Sequence, residues 1–532
     1  MVANGVDHDV IVVGGGPTGL GLALELSMFD VDCLVLERHP SPQPIPKGQN
    51  LTQRTMEHFR RWGVEDQIRA ARVLPPDYSN GGLTAYGTLL GKYWHPWYRR
   101  DSVSQYYHTA NERLPQYCTE EVLRAAASDR AAIDYQVGIT VDSVRPNFDG
   151  VTVSGLDGHG SRVTARARFV VGCDSNRSMV REQAAIRRNL SGTSKIMVLA
   201  VFRSAALAQL LSRYPETSFF NTLDPELDGY WRFLGRVDSD EGWFFHAPIG
   251  AETAIDDVDV ARMLYDTVGQ SFEFDLDHVG FWDAQVAIAS SYRAGPVFVA
   301  GDSAHSHPPY GGFCINMGFE DARNLGWKLA ATLGGWGGDE LLDSYDAERR
   351  PVFESTSQDF IMRFVERDRE FVRSFDPTLD RDAFEQEWER RASGGNAEVR
   401  AFAPHYRGSP IVMGGNDQVP SAVGTHELAV RVGCHLPPLV SADERPLIDR
   451  LGPGFTLLSS GGDAAVVDGF RQEAAARVLP LAVMDDLPVT VGEQYGSSLI
   501  LVRPDLYVAW TDTTEHSSVS PGQVLDHAVG AR

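Results

Sequence analysis

The sequence predicts a multi-domain α/β protein, and three observations carry that expectation. At the N-terminus DVIVVGGGPTGLGLALELSMFDVDCLVLER (9–38) reads as strand, glycine turn, amphipathic helix and second strand, the size of one βαβ unit. Two later segments, RFVVGCDSNRSMVR (168–181) and PVFVAGDSAHSHPPYGGFCINMGFEDARNLGWKL (296–329), each repeat an apolar strand, a polar loop and a helix start. The last hundred residues change character. LIDRLGPGFTLLSSGG, LPLAVM and SSLILVRPDLYVAW alternate strands with helices, as a small separate α/β unit would.

A chain of 532 residues exceeds one ordinary core, and 43% apolar against 23% charged residues can bury a large interior. With 48 basic and 72 acidic residues the formal charge is −24, which repels a polyanion over most of the surface and argues against a nucleic-acid partner. Cys33, Cys118, Cys173, Cys314 and Cys434 are odd in number and form no CxxC pair. That argues against a disulfide framework and a zinc knot and suits a reducing compartment. The first apolar run follows no basic segment and is broken by glycines and Glu25, so neither a secretory signal nor a membrane span is expected. The expectation is a cytoplasmic protein without a membrane partner.

Within the first unit Gly14, Gly16 and Gly19 form GxGxxG between strand and helix. Gly14 allows the tight turn, Gly16 lets a pyrophosphate approach the backbone, and Gly19 lets the helix pack on the strand. Pro17 and Thr18 open the helix. Glu37, followed by Arg38, ends the second strand eighteen residues past Gly19, where its carboxylate can accept hydrogen bonds from adenosine ribose hydroxyls. The motif signals a dinucleotide site without choosing between NAD and FAD.

GDSAHSHPP (301–309) raises a second question, because Asp302, His305 and His307 could bind a metal. That would require three side chains to converge from one loop with no other ligand nearby, and no metal site is expected.

Together these three ordered segments resemble the class A, single-component FAD-dependent aromatic hydroxylases of the para-hydroxybenzoate hydroxylase type. The resemblance implies a Rossmann-like, GR2-type FAD-binding domain with an inserted β-sheet substrate domain. It also implies that Asp302 accepts a hydrogen bond from a ribityl hydroxyl, and that His305, Pro308 and Pro309 shape the loop beside the flavin. Gly311, Gly312 and Asn316 would bring backbone N–H groups and a helix N-terminus to the pyrimidine edge. Lys47 stands where the family usually has an arginine, Arg54 where it has a second, and Gln116 matches a glutamine that reaches the ribityl chain and phosphate. Asp174 belongs to the second motif. Two departures stand out, Ser175 for the glycine of DG and Cys314 for a glycine of GGxGxN, each putting local geometry in question. The implied chemistry is that NADPH or NADH, docking transiently, reduces FAD, O2 adds at the flavin C4a carbon, and the hydroperoxide hydroxylates a phenolic or other electron-rich aromatic ring. Rival readings are another FAD oxidoreductase (oxidase, dehydrogenase or halogenase) or a flavin-bound carrier of an aromatic intermediate without turnover.

GYWRFLGRVDSDEGWFFHAPIG (229–250) reads as an aromatic hairpin turning at DSDEG. In the resembling family this sheet floors the substrate cavity, which makes Tyr230, Arg232, Phe245 and His246 candidate substrate contacts, along with Pro308. Tyr230, His246 and Pro309 are the catalytic candidates. YGTLLGKYWHPWYRR (86–100) is expected to join this region as a hydrophobic lid. A helical pattern after Leu341 reads as a connecting element whose Arg349 and Arg350 lie on a solvated face. VRPDLYVAW resembles the closing hairpin of the thioredoxin-like domain in the phenol hydroxylase branch, without CxxC and so without a redox role. The expected layout is an FAD-binding domain from 1–76, 102–188 and 290–345, and a substrate domain from 77–101 and 189–289. Connecting helices follow over 346–420 and a thioredoxin-like domain over 421–532, in a monomer or homodimer.

Overall fold

The computed structural model describes residues 6–79, 81–97, 100–191, 195–250, 253–308, 310–394, 397–415, 418–439, 446–513 and 519–531. Its N-terminal strand, His8–Val13, runs through the middle of a mostly parallel sheet. Cys33–Glu37 and then Ile133–Val137 lie to one side, and Arg162–Gly172 and Val297–Val299 to the other. These strands are near-continuous apolar runs because helices cover the sheet, among them Pro17–Ser27 packed on the 21-residue helix Phe313–Leu333. The chain reverses its direction of travel across the sheet at the first strand. A crevice therefore opens beyond the strand ends at that switch point, directly over the glycine turn.

A second sheet of seven strands takes Gly82–Tyr86 and Trp94–Trp97 from the early aromatic stretch and the remaining strands from 196–283. The hairpin forms as expected: Trp231–Arg236 pairs antiparallel with Gly242–Pro248. Asp238 closes its turn by accepting hydrogen bonds from the backbone N–H of Asp240 and Gly242. One face of this sheet packs on the helix Val260–Val268 through Phe202, Trp243, Phe245 and Leu264, and the opposite face looks towards the crevice.

The C-terminal unit has the four-strand order Leu481–Met484, Phe455–Ser459, Leu499–Val502, Val508–Thr511, with helices Ala464–Ala476 and Pro521–Ala528 packed together. It is anchored through the RPD stretch. Arg503 reaches Glu348, Arg54 donates to the carbonyl of Asp505 at 3.1 Å, and Trp327 donates to the Asp505 carboxylate at 3.2 Å.

The helical pattern after Leu341 is Ser344–Ser355 and Arg363–Ser374, joined by a π-helical stretch Thr356–Met362. Arg349 departs from expectation, being fully buried rather than solvated. It donates to Asp321 at 2.7 Å and to the Tyr406 hydroxyl at 3.2 Å, because this helix is enclosed by the long helix and by the segment around Tyr406. Arg350, on the outer side, is half-buried and paired with Asp346. No helix among the described residues is long and apolar enough to cross a membrane.

Candidate cofactor and substrate cavity

A cavity of about 670 Å³ begins at the glycine turn, passes Asp302 and ends against the seven-stranded sheet. Gly14 has φ +109°, and a Cβ there would lie 2.3 Å from the Cys173 carbonyl oxygen. A Cβ on Gly19 would sit 1.9 Å from the Gly14 oxygen, so both glycines are required by packing of the protein itself. Gly16 differs: a Cβ there meets nothing within 4 Å, because the position faces the open cavity. That opening, at the N-terminus of Pro17–Ser27 with Arg38, Lys47, Arg124 and Arg177 on the cavity wall, fits a dinucleotide pyrophosphate. Glu37 lies on the wall with its carboxylate held by the backbone N–H of Gly15 and His39, both at 2.7 Å.

Of the other expected cofactor residues, Pro17, Thr18, Gln116, Asp174, Asp302, Gly311 and Gly312 also line the cavity. Gln116 is oriented by Gly48 N–H and Glu120. Asp174 accepts from Ser303 at 3.0 Å and from the Val180 backbone at 3.0 Å. Asp302 opens onto the cavity while protein surrounds it. Desolvation pushes its carboxyl up, and His305, Lys47 and Arg188 partly offset this. Gly311 and Gly312 have φ of +65° and +69°, which delivers the chain to the N-terminus of Phe313–Leu333.

Among the described residues Asp302, His305 and His307 do not gather their ligand atoms around one point. His305 binds Asp321 at 2.7 Å and stacks on Phe353 at 4.2 Å, and the same carboxylate oxygen of Asp321 accepts Gly301 N–H at 3.0 Å. His307 turns to the Pro308 carbonyl at 2.5 Å and to the Cys314 sulfur at 3.3 Å. Among the described residues the group that could share an ion is Glu57, His108 and His435, but Glu57 is already held by Arg54 at 2.8 Å and His435 at 2.9 Å.

Several expectations require correction. The side chain of Asn316, of which only the backbone N–H was expected at the flavin, is turned to the protein rather than to the main cavity. Its amide oxygen takes Thr52 N–H at 2.9 Å and its NH2 donates to Asn50 and Gly312 carbonyls, so it stitches the long helix to the 50–55 segment. Arg54 is buried between Glu57 and Glu320, off the cavity, and ties in the C-terminal unit. Phe245 points to the opposite face of the sheet, into the core with Phe202 and Leu264, since neighbouring strand residues alternate sides. Tyr230 sits just before its strand, with Lys195 over its ring at 4.4 Å and Trp231 stacked on it; it does not line the cavity. Arg232 pairs with Asp224 at 3.4 Å, also off the wall. Pro308 is buried and not on the wall, and Pro309 lies outside the described residues. His246 alone of the hairpin candidates lines the cavity.

The residues missed from sequence are its neighbours in register. Leu199 pairs with His246, His246 with Phe233, and Phe233 with Asn221, giving a row across four strands whose side chains share one face. Phe219, Phe244, Trp231 and Trp282 complete an aromatic wall. Alternation marks the two faces of each strand, but which one faces the cofactor is decided by the packing of Val260–Val268 on the other.

The two departures resolve differently. Ser175 adopts φ +74°, the left-handed backbone that the family glycine suits. Cys314 lies in the first turn of a regular helix without positive φ, with its thiol toward His307; burial raises the thiol and holds His307 down to about 4.

A family model for an FAD binding domain matches residues 7–359, and one for the C-terminal part of aromatic-ring hydroxylases matches 429–531. The chain is 32% identical to a putative polyketide hydroxylase of Streptomyces halstedii, over 94% of this chain and 92% of the relative. It is 30% identical to a 4-methyl-5-nitrocatechol 5-monooxygenase of Burkholderia sp, over 95% and 94%. The solved structure of the rebeccamycin biosynthetic enzyme RebC with reduced flavin matches at TM-score 0.85 and 28% identity, covering 99% of both chains. Aklavinone-11 hydroxylase with FAD and aklavinone matches at 0.82 and 26%, covering 99% of this chain and 100% of the other. Aligned almost end to end with these proteins and matched by both family models, the chain belongs to the class A FAD-dependent aromatic-ring hydroxylases, flavin monooxygenases that use O2 and a reduced nicotinamide.

Proposed function

We propose that this enzyme hydroxylates a phenolic or similarly electron-rich aromatic molecule held between the flavin and the aromatic face of the seven-stranded sheet. The observation that carries this reading is the continuity of one cavity from the glycine turn to that wall. Bound FAD supplies the oxygen chemistry. The chain's own part is to bind, orient and exclude water.

Gly14, Gly16, Pro17, Thr18 and the helix they open receive the pyrophosphate, with Arg38 and Lys47 balancing its charge. Glu37 takes the ribose hydroxyls, and Gln116 and Asp302 the ribityl chain. Gly311 and Gly312 aim the N-terminus of the long helix at the flavin ring, where its dipole favours negative charge. Asp174 acts indirectly, by capping the turn that carries Ser175. His246 serves as a neutral hydrogen-bonding group, because burial pulls its imidazole down to about 4 and no acid partners it. The layout given from sequence remains our domain assignment, with a thioredoxin-like unit from 421. The five free thiols support placing the protein in the cytoplasm, as a monomer or homodimer.

The test is to supply NADPH or NADH with 18O2 and a panel of phenols. Expected is nicotinamide oxidation matched by one labelled oxygen per product. Flavin that binds and is reduced while product remains unlabelled for every substrate would refute the reading.

A further inference from the structure

On the aromatic face of the sheet two polar side chains stand on either side of Phe233, away from the edge strand that ends at Asp283. Asn221 and His246 are both cross-strand partners of Phe233, one on each neighbouring strand. Both line the cavity and both are buried, 6% exposed each. Neither has a hydrogen bond that explains it. The Nδ1 of His246 and the Oδ1 of Asn221 are sealed from solvent without a partner, which leaves the imidazole Nε2 and the amide NH2 as the atoms able to meet a ligand. Neither side chain makes a hydrogen bond within the protein, although both are almost wholly buried and line the cavity, and a buried amide or imidazole left in that state calls for a partner arriving through the cavity. Among the described residues the wall holds no cation to answer a carboxylate: Arg232 is paired with Asp224, and Arg113 and Arg236 lie over Phe219 and Trp243 at 3.7 and 4.4 Å. The described cations that do line the cavity are Arg38, Lys47, Arg124 and Arg177, none of them on the seven-stranded sheet.

The geometry points to a two-point clamp in which Asn221 and His246 donate hydrogen bonds to two oxygens on opposite edges of an uncharged, fused-ring aromatic substrate stacked over Phe233. Two strand spacings separate the donors by about 10 Å, and allowing for the hydrogen bonds the oxygens must lie roughly 4 to 10 Å apart. That span admits oxygens placed across a ring system. It rejects the adjacent oxygens of a catechol, and a single phenol reaches one donor only. Benzoates are disfavoured because their charge would be buried opposite neutral groups. The clamp rests on the reading of the cavity as an aromatic-substrate site, but it is tested by binding to the oxidised holoenzyme, without turnover.

The probes are size-matched: 1,5-dihydroxynaphthalene, 2,3-dihydroxynaphthalene and 1-naphthol, titrated against flavin absorbance and by calorimetry. Expected is about tenfold tighter binding of the 1,5-isomer than of either other probe. Asn221→Leu and His246→Phe should each weaken the 1,5-isomer about tenfold and change 1-naphthol less than threefold, while His246→Gln, which keeps an N–H donor, should stay within threefold of the parent. Equal affinity for the three probes on the unaltered enzyme overturns the clamp, even if a variant fails to hold flavin. So does a variant that weakens 1-naphthol as much as the 1,5-isomer. Tight clamp binding with no labelled product would instead count against the hydroxylase reading alone.

Discussion

Replacing Glu348 by Gln removes one negative charge from a site with no access to water. Its carboxylate accepts from Arg503 at 2.5 and 2.9 Å, Lys328 at 2.7 Å, Asn324 at 2.7 Å and Ser409 at 2.6 Å. Glu348, Lys328 and Arg503 are all 0% exposed. Burial alone would raise this carboxyl, but Arg503 and Lys328 hold it well below the usual carboxylate range, so the native site requires the anion. Breaking a buried pair by removing one partner costs about 3–5 kcal/mol. The loss should fall near 3 kcal/mol, because Arg503 keeps Asp505 at 2.6 Å while Lys328 is left facing an amide. Unfolding entropy for a chain this long is about 1.1 kcal/mol/K, so Tm of the holoenzyme should drop by about 3 °C in calorimetry.

The sign with pH is a second check. Burial lowers Lys328 to about 8 despite Glu348, and without Glu348 it falls further. Raising the pH from 7 to 8 then relieves the variant more than the parent, because only the variant's folded state has already shed that proton, and the deficit should narrow. A Tm within 1 °C of the parent, or a deficit that widens over that interval, would refute this account of how the C-terminal unit is anchored.

Other outcomes follow from the same geometry. Gly16→Val should leave the apoprotein's Tm unchanged yet abolish FAD retention, read from the flavin-to-protein absorbance ratio, whereas Gly14→Val should destabilise the fold itself because its Cβ strikes the Cys173 carbonyl. Ser175→Gly should stabilise by about 0.5–1 kcal/mol, seen as a higher denaturant midpoint, since the left-handed backbone disfavours a Cβ. His108, His246 and His307 are each held down to about 4 by burial. Unfolding lets them take up protons between about pH 6.5 and 4, so this contribution is complete above 6.5 and lost as the pH falls towards 4. Denaturant titrations at pH 7.5 and 5 should show the loss, and His246→Phe should reduce it.

The cofactor half of the site was legible in the sequence because local backbone geometry dictates it. A strand, a turn that needs positive φ at Gly14, a helix N-terminus and an acid at the next strand end lie within thirty consecutive residues, and their spacing is their structure. The substrate half was not legible, for a reason that is equally physical. Strand alternation divides Trp231, Phe233, Phe244 and His246 from Phe245, but it is symmetrical between faces. Only the packing of Val260–Val268 on one side chose which set meets the cavity and brought Asn221 beside Phe233 from another strand. Arg54 and Arg349 make the same point: the resemblance set the one at a family arginine position and the charge pattern set the other on a solvated face, whereas the long-range partners Glu320 and Asp321 made both internal ties. Sequence by itself determined the fold class and the dinucleotide turn, whose causes are local. Tertiary structure decided which side chains face the substrate and which charges are buried, since both depend on segments far apart in the chain.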